Sequence, residues 1–204
     1  MKVSEEYIVG VDEAGRGPLA GPLVFGVSCI PKKTSTRIFK HLKKEGLFDS
    51  KQVKEKDREK IYEILKQLKK SGEINWTSTF ISADIISTKG LSFAIQLAIS
   101  KSLKKLSTTN NESKIILEMD GSLRIPEANW KKASVIIKGD TIKPSIMIAS
   151  IIAKVERDRY MKKIASKYSH YQFEIHKGYG TLKHRETIRK HGLSKEHRVG
   201  WFKG

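Results

Sequence analysis

Four acids stand at the ends of apolar runs in this chain. Asp12 and Glu13 close the run that begins at Tyr7, Asp120 closes Lys114 to Asp120, and Asp140 follows Ala133 to Ile137. An acid at the end of an apolar strand sits at the rim of a sheet, where side chains can converge without the full cost of burial. Oxygen-only clusters of this kind suit hard divalent cations, Mg²⁺ or Mn²⁺. Two such ions about 4 Å apart can activate a water and stabilise a leaving oxygen in phosphodiester hydrolysis.

Each acid also has a plainer reading. Asp12 and Glu13 could be turn residues before glycine, and consecutive strand residues share a site only if the chain bends there. Asp120-Gly121 could be the turn of a hairpin. Asp140 could cap or precede a helix starting at Pro144. Glu118 should share a strand face with Asp120, and pairing with a lysine is favoured over joining a site. Spacing along the chain does not show that the four acids meet.

The elements that must position them follow from periodicity. A β-type run from Tyr7 to Val11 leads through the glycine-rich turn Ala14 to Pro18 into a second run, about Leu23 to Ile30. Lys32 to Phe48 is polar and mixed. Apolar residues three and four apart predict an amphipathic helix over Lys54 to Lys70, and Glu73 to Ile81 alternates as a strand. Leu91 to Leu106 reads as a helix with Phe93, Leu97, Leu103 and Leu106 inward, and Ser107 to Ser113 as a loop. Further strands are expected at Lys114 to Asp120 and Ala133 to Ile137. A helix follows from Pro144 to about Ile164, then a short one from Lys183 to His191 stopped by Gly192. The pattern is α/β, a mixed sheet flanked by helices with a helical C-terminal part from about residue 182, in a single domain over 1–204.

Forty Lys and Arg against 22 Asp and Glu leave a formal charge of +18, which favours a polyanionic partner such as nucleic acid. A lysine-rich surface that serves only solubility is the alternative. A local knot of acids in so basic a chain calls for a neutralising cation. The lone Cys29 excludes an intrachain disulfide and reads as a buried, inert thiol. No signal peptide or membrane-spanning run is legible, so a cytoplasmic setting and no membrane partner are expected.

Gly15-Arg16-Gly17 would let backbone N–H groups approach a sugar or phosphate closely. The longer string Asp12-Glu-Ala-Gly-Arg-Gly-Pro-Leu-Ala-Gly-Pro22 resembles the opening signature of ribonuclease HII, the type 2 ribonuclease H family, in its bacterial form. Asp49-Ser-Lys51, Met119-Asp-Gly121, Lys138-Gly-Asp140, Ile148 to Asp158, Lys177-Gly-Tyr-Gly-Thr181 with His184, and the late His191-Gly192 with His197-Arg198 continue the resemblance.

The resemblance implies a ribonuclease H-like fold and a metal-binding, catalytic set of Asp12, Glu13, Asp120 and Asp140 holding Mg²⁺ or Mn²⁺. It implies that Gly15, Arg16 and Gly17 contact the 2′-hydroxyl region of a ribonucleotide, that Tyr179 stacks on the neighbouring deoxyribose, and that Lys51 contacts phosphate. The substrates implied are RNA/DNA hybrids and duplex DNA carrying single ribonucleotides. They would be cut on the 5′ side of the ribonucleotide to leave a 3′-hydroxyl and a 5′-phosphate, in ribonucleotide and primer removal by a monomer.

Some positions depart from that pattern. Glu118 stands where an apolar residue is expected, Ile146-Met-Ile148 where smaller ones are usual, and Arg198-Val-Gly-Trp-Phe202 replaces the common H-R-x-S-F ending. Two other readings remain. One is a non-catalytic basic RNA-binding module. The other is the sister type, ribonuclease HIII, which tends to carry lysine in place of Arg16. The histidines His176, His184, His191 and His197 are given no catalytic role.

Overall fold

The computed structural model describes residues 5–47, 53–106, 114–121, 123–126 and 130–202. Five strands form one mixed sheet: β1 (Tyr7–Ala14), β2 (Leu23–Pro31), β3 (Asn75–Ile81), β4 (Ile115–Asp120) and β5 (Lys132–Ile136), in the order β3-β2-β1-β4-β5. The first three make an antiparallel meander, while β4 and β5 run parallel to β1. Because β4 and β5 are parallel, Asp120-Gly121 is not a hairpin turn. It opens the connection to a parallel neighbour.

Helices cover both faces. α1 (Lys32–Lys44), α2 (Glu55–Lys70) and α6 (Pro144–Ala165) share a core with Ile30 and Trp76 on one side. α3 (Ala83–Lys89) and α4 (Leu91–Leu106) cover Val9, Val11, Phe25, Val27, Leu117 and Met119 on the other. A third cluster joins Ala20 and Met161 to Tyr171 and Phe173, beside the short helices α7 (Phe173–His176) and α8 (Leu182–His191). The short helix α5 (Gly139–Ile142) carries Asp140.

The helix α6 lies against β1 and β2 and is buried nearly all round. Its fully buried Ile146, Ile148, Ile151 and Ile152 contribute roughly 2 kcal/mol each by removal from water. The sheet face beneath it is cut down to admit it. A Cβ on Gly10 would stand 2.2 Å from the Ser145 carbonyl, and one on Gly26 would stand 2.1 Å from that of Ala149. Ser28 Oγ–H donates to the Ser145 carbonyl at 2.8 Å, so this close approach leaves that backbone acceptor satisfied.

Three sequence expectations change. Lys32 to Lys44 is a helix, held by buried Ser35, Ile38 and Leu42, in a stretch that reads only as polar and mixed. Ala83–Lys89 is a further helix, N-capped by Ser82 Oγ, which accepts the Ile85 N–H at 3.3 Å. In α4 it is Ala94, Ala98, Ile99 and Ser102 that are buried, whereas Phe93 is half exposed and does not face the core. Small residues there let α4 approach the sheet, and Phe93 is displaced to the flank. The expected loop at 107–113 lies outside the described residues.

Candidate active site

Strand β1 keeps its pairing with β2 unbroken to Ala14, but its pairing with β4 ends at Val11 and Met119. Beyond that point the two strands stop sharing a ladder, and a cleft of about 420 Å³ opens at the rim of the sheet. Its lining brings together Asp12, Glu13, Asp120 and Asp140 with Gly15, Arg16, Gly17 and Tyr179. Eight of the nine candidate residues therefore share one cleft. The ninth, Lys51, lies outside the described residues with Asp49 and Ser50.

Alternation along the strands explains how the acids are dealt out. Val9 and Val11 belong to the core under α4, so Asp12 faces α6 and Glu13 the opposite side. Met119 also faces α4, which turns Glu118 and Asp120 towards α6. Asp12 and Glu13 share the cleft without any break in the β1–β2 ladder, because the cleft lies past the end of β4 pairing and is open to both faces of β1.

Each carboxylate is held by the protein. Asp12 Oδ1 accepts the Glu13 N–H at 2.8 Å, and the Ser150 hydroxyl of α6 also bonds this carboxylate. Asp120 Oδ1 accepts the Gly139 N–H at 2.5 Å. Glu13 Oε1 lies 2.8 Å from Arg16 Nε, a close ion pair that is not aligned as a hydrogen bond, while Glu13 Oε2 is buried with no partner. Asp140 is 1% exposed. Glu118 is drawn away by Lys143, 3.1 Å from its Oε1, and by the Ser145 hydroxyl, and it does not line the cleft.

Burial first, then the charges of Glu13 and Asp120, push the Asp12 carboxyl well above its usual range, against the lowering bond from Ser150. Burial also raises Glu13; Arg16 opposes this, and Asp120 and Asp140 reinforce it. The acids therefore repel one another across the cleft at a real electrostatic cost. Among the described residues no three His, Cys, Asp or Glu side chains are already drawn together as a ligand set. The donor chemistry nonetheless fits a hard cation: all oxygen, mutually repelling, with one buried carboxylate oxygen unpartnered.

The far wall is basic. Lys154 and Arg58 also line the cleft, and buried Asp158 anchors both, at 2.9 Å from Lys154 Nζ and 3.7 Å from Arg58 Nη2. Tyr179 is about half exposed, with Lys154 Nζ 5.9 Å and Arg157 Cζ 5.8 Å from its ring centre. Sequence reasoning passed over Arg58, Ser150 and Lys154. Lys154 and Asp158 lie in the Ile148 to Asp158 motif, four residues apart on one helix face, which is the signal that could have found the pair.

The turn between β1 and β2 is braced from beneath by two buried arginines. Arg157 of α6 donates to the carbonyls of Pro22 at 3.0 Å and Ala20 at 3.1 Å. Arg198 donates to those of Gly15 at 2.5 Å, Arg16 at 2.8 Å and Gly21 at 2.9 Å. Gly15 takes φ +96°, and a Cβ there would stand 2.2 Å from Arg157 Nε, so glycine is required by both backbone and space. A Cβ on Gly17 would meet nothing within 4 Å.

Comparison with known proteins places the chain as a whole. A family model described as Ribonuclease HII matches residues 9–203. The ribonuclease HII of Caldicellulosiruptor bescii is 40% identical over 198 residues, covering 97% of this chain and 87% of that one. The crystal structure of ribonuclease H2 from Pyrococcus horikoshii OT3 superposes with a TM-score of 0.70 at 30% identity, covering 96% of this chain and 93% of the other. Bst-RNase HIII in complex with Mn²⁺ has the same fold, with a TM-score of 0.71 at 15% identity over 97% of this chain and 68% of its own. The family model and the 40% identity to the Caldicellulosiruptor bescii enzyme point to the HII type, the mixed sheet is ribonuclease H-like, and the chain belongs to the ribonuclease HII family of endoribonucleases.

Proposed function

We propose that this chain hydrolyses the RNA strand of RNA/DNA hybrids and cuts on the 5′ side of single ribonucleotides in duplex DNA, leaving 3′-hydroxyl and 5′-phosphate ends. The observation that carries the reading is the shared cleft. Four acids at the strand ends, the Gly15–Gly17 turn and Tyr179 line it together. A basic RNA-binding module would have no use for mutually repelling acids facing a phosphate backbone.

In this reading Asp12, Glu13, Asp120 and Asp140 hold Mg²⁺ or Mn²⁺ in a two-metal arrangement. Bound there, the ions supply a water ionised near neutral pH and charge stabilisation at the phosphorus and the leaving 3′ oxygen. Everything else falls to the chain's own groups. Lys154 and Arg58 face the phosphate that the acids would otherwise repel. The Gly15–Gly17 backbone comes close to the ribose because two of the three residues carry no side chain, and the 2′-hydroxyl it meets is the group that separates RNA from DNA. The exposed Tyr179 ring offers a flat apolar face to the deoxyribose beyond the junction. Surface lysines hold the duplex by contacts to phosphate that carry no sequence information.

A labelled DNA duplex with one embedded ribonucleotide tests the assignment. Cleavage should occur 5′ of that nucleotide, stop on chelation with EDTA and be abolished in Asp120→Asn, while duplex binding persists. Full activity in Asp120→Asn would refute the carboxylate assignment. Activity confined to longer RNA stretches would refute recognition of single ribonucleotides.

A further inference from the structure

Two consecutive residues near the C-terminus reach the two halves of the recognition surface. The segment carrying them is threaded into the fold beside the β1–β2 turn. Gly21 N–H donates to the Glu196 carbonyl at 2.8 Å, and Arg198 N–H to that of Leu19 at 2.8 Å, so residues 19–21 and 196–198 form a short antiparallel bridge. On the other side of the same stretch, Leu19 N–H donates to the Gly178 carbonyl at 2.9 Å, next to Tyr179.

From this bridge Arg198 turns one way and His197 the other. All four Arg198 side-chain bonds go to carbonyls of the glycine turn, at Gly15, Arg16 and Gly21. His197 instead contacts His184, with their Nε2 atoms 3.0 Å apart. The direction of each bond follows from the ends of the chain. A carbonyl only accepts, so His184 Nδ1–H must donate to the Tyr179 carbonyl at 2.8 Å, which leaves His184 Nε2 bare. His197 Nε2–H then donates to it, and bare His197 Nδ1 accepts the Ser194 N–H at 2.9 Å. The relay runs from Ser194 through two neutral imidazoles to the backbone of Tyr179. Both rings are buried against Phe173 and Tyr171, which fixes their planes.

We propose that His197 and Arg198 are positioning residues for substrate recognition, a two-armed clasp that sets the Gly15–Gly17 turn and Tyr179 at a fixed separation. The inference rests on the reading that these two elements contact the ribonucleotide and its deoxy neighbour. Burying a guanidinium is expensive, and carbonyls in a surface turn could be satisfied by water at less cost. What a fork of fixed geometry adds is placement: three carbonyls are held by one rigid group, which a lysine ammonium does not reproduce. The clasp touches none of the four acids, so its loss should fall on recognition and leave the hydrolytic step intact.

The test uses the full chain, with steady-state cleavage of a duplex carrying one ribonucleotide and thermal melting to establish folding. Arg198→Lys should raise KM about tenfold with kcat within about threefold, and should erode the binding preference for that duplex over an all-DNA duplex. His197→Phe keeps a ring among Tyr171 and Phe173 but breaks the relay, and should mainly reduce cutting at an RNA–DNA junction relative to an all-RNA strand. Folded variants whose KM and preferences stay within twofold of the parent overturn the proposal. Should both variants unfold, Tyr160→Phe is read the same way, because it releases only the Glu196 carboxylate that anchors the segment at 2.9 Å. Tyr179→Ala and Gly17→Ala serve as controls. If they also leave KM and preference unmoved, the recognition reading fails and the clasp with it; if they shift while the clasp variants do not, the clasp alone is refuted.

Discussion

Asp120 Oδ1 accepts a hydrogen bond from the backbone N–H of Gly139 at 2.5 Å, which ties the end of β4 to the residue before Asp140. Two acids 20 positions apart are thereby held on one side of the cleft, although their charges oppose each other's neighbours. An asparagine at position 120 can keep this bond through its amide oxygen while shedding the charge. Asp120→Asn should therefore melt no lower than the parent in EDTA, because it relieves the repulsion that Asp120 exerts on Asp12 and Glu13. Millimolar Mg²⁺ or Mn²⁺ should raise the melting temperature of the parent and have far less effect on the variant. Equal cation-induced shifts in both would mean that Asp120 takes no part in holding the ion. Differential scanning fluorimetry with and without cation decides it.

Gly15 and Gly17 look equivalent in sequence and are not. At Gly15 an added methyl meets Arg157 and the Pro22 carbonyl on a backbone of positive φ. Gly15→Ala should cost about 2 kcal/mol or more in urea unfolding and reduce activity along with stability. At Gly17 the methyl meets open space, so Gly17→Ala should unfold at the parent's urea concentration. Its loss should be confined to the substrate, with cleavage efficiency reduced at least tenfold because the methyl occupies the approach to the ribose. A Gly17→Ala enzyme of normal efficiency would remove that residue from recognition.

How much of this was legible follows from what each feature depends on. Asp12, Glu13, Asp120 and Asp140 announce themselves because an acid ending an apolar run is a local pattern, and the family resemblance orders them. Their meeting in one cleft depends on β1 outrunning β4, a pairing fact with no signature in either segment. The bracing by Arg157 and Arg198 was out of reach for a similar reason. Their carbonyl partners lie more than 130 residues away in the chain, and nothing in a lone arginine tells a buried fork from a surface charge. Phe93 is apolar and lies within a helix, yet the buried positions of that helix go to the smaller Ala94 and Ala98, a choice that composition alone does not show. Helix α1 was missed because its inward face is only Ser35, Ile38 and Leu42 among lysines.

Lys154 lines the cleft, and Asp158, one turn on and 3% exposed, holds its ammonium at 2.9 Å. The pairing places a cation in the cleft of the four acids, where the proposed function needs a phosphate to enter. Lys154→Ala should weaken binding of RNA/DNA hybrid and DNA duplex by similar factors. The slope of log affinity against log salt should fall by about one unit, as expected for one lost phosphate contact. Asp158→Asn, which weakens the hold on Lys154 while the Val53 carbonyl still keeps Arg58, should give a smaller loss of the same kind. An unchanged salt slope in Lys154→Ala, from fluorescence anisotropy at several ionic strengths, would place the lysine away from the duplex.

The histidine cluster makes the fold acid-sensitive in a direction that can be fixed beforehand. Burial, then the neighbouring His184, lowers His197 from its ordinary value near 6.5 to about 4, and burial lowers His184 and His176 as well. A histidine depressed in the folded state binds its proton more readily when unfolded. Its contribution is thus complete above pH 6.5 and is lost as pH falls through the window from 6.5 towards 4. From His197 alone, urea unfolding should show a loss of about 2 kcal/mol between pH 7 and pH 5. His197→Phe, which cannot titrate, should flatten that dependence even if it is less stable at pH 7. The carboxylates act oppositely, since Asp12 and Glu13 are raised and gain protons in the folded state over the acid range. Measuring the same pair of proteins in an Asp12→Asn, Glu13→Gln background separates the two, and a pH slope unaltered by His197→Phe there would show that the relay does not carry it.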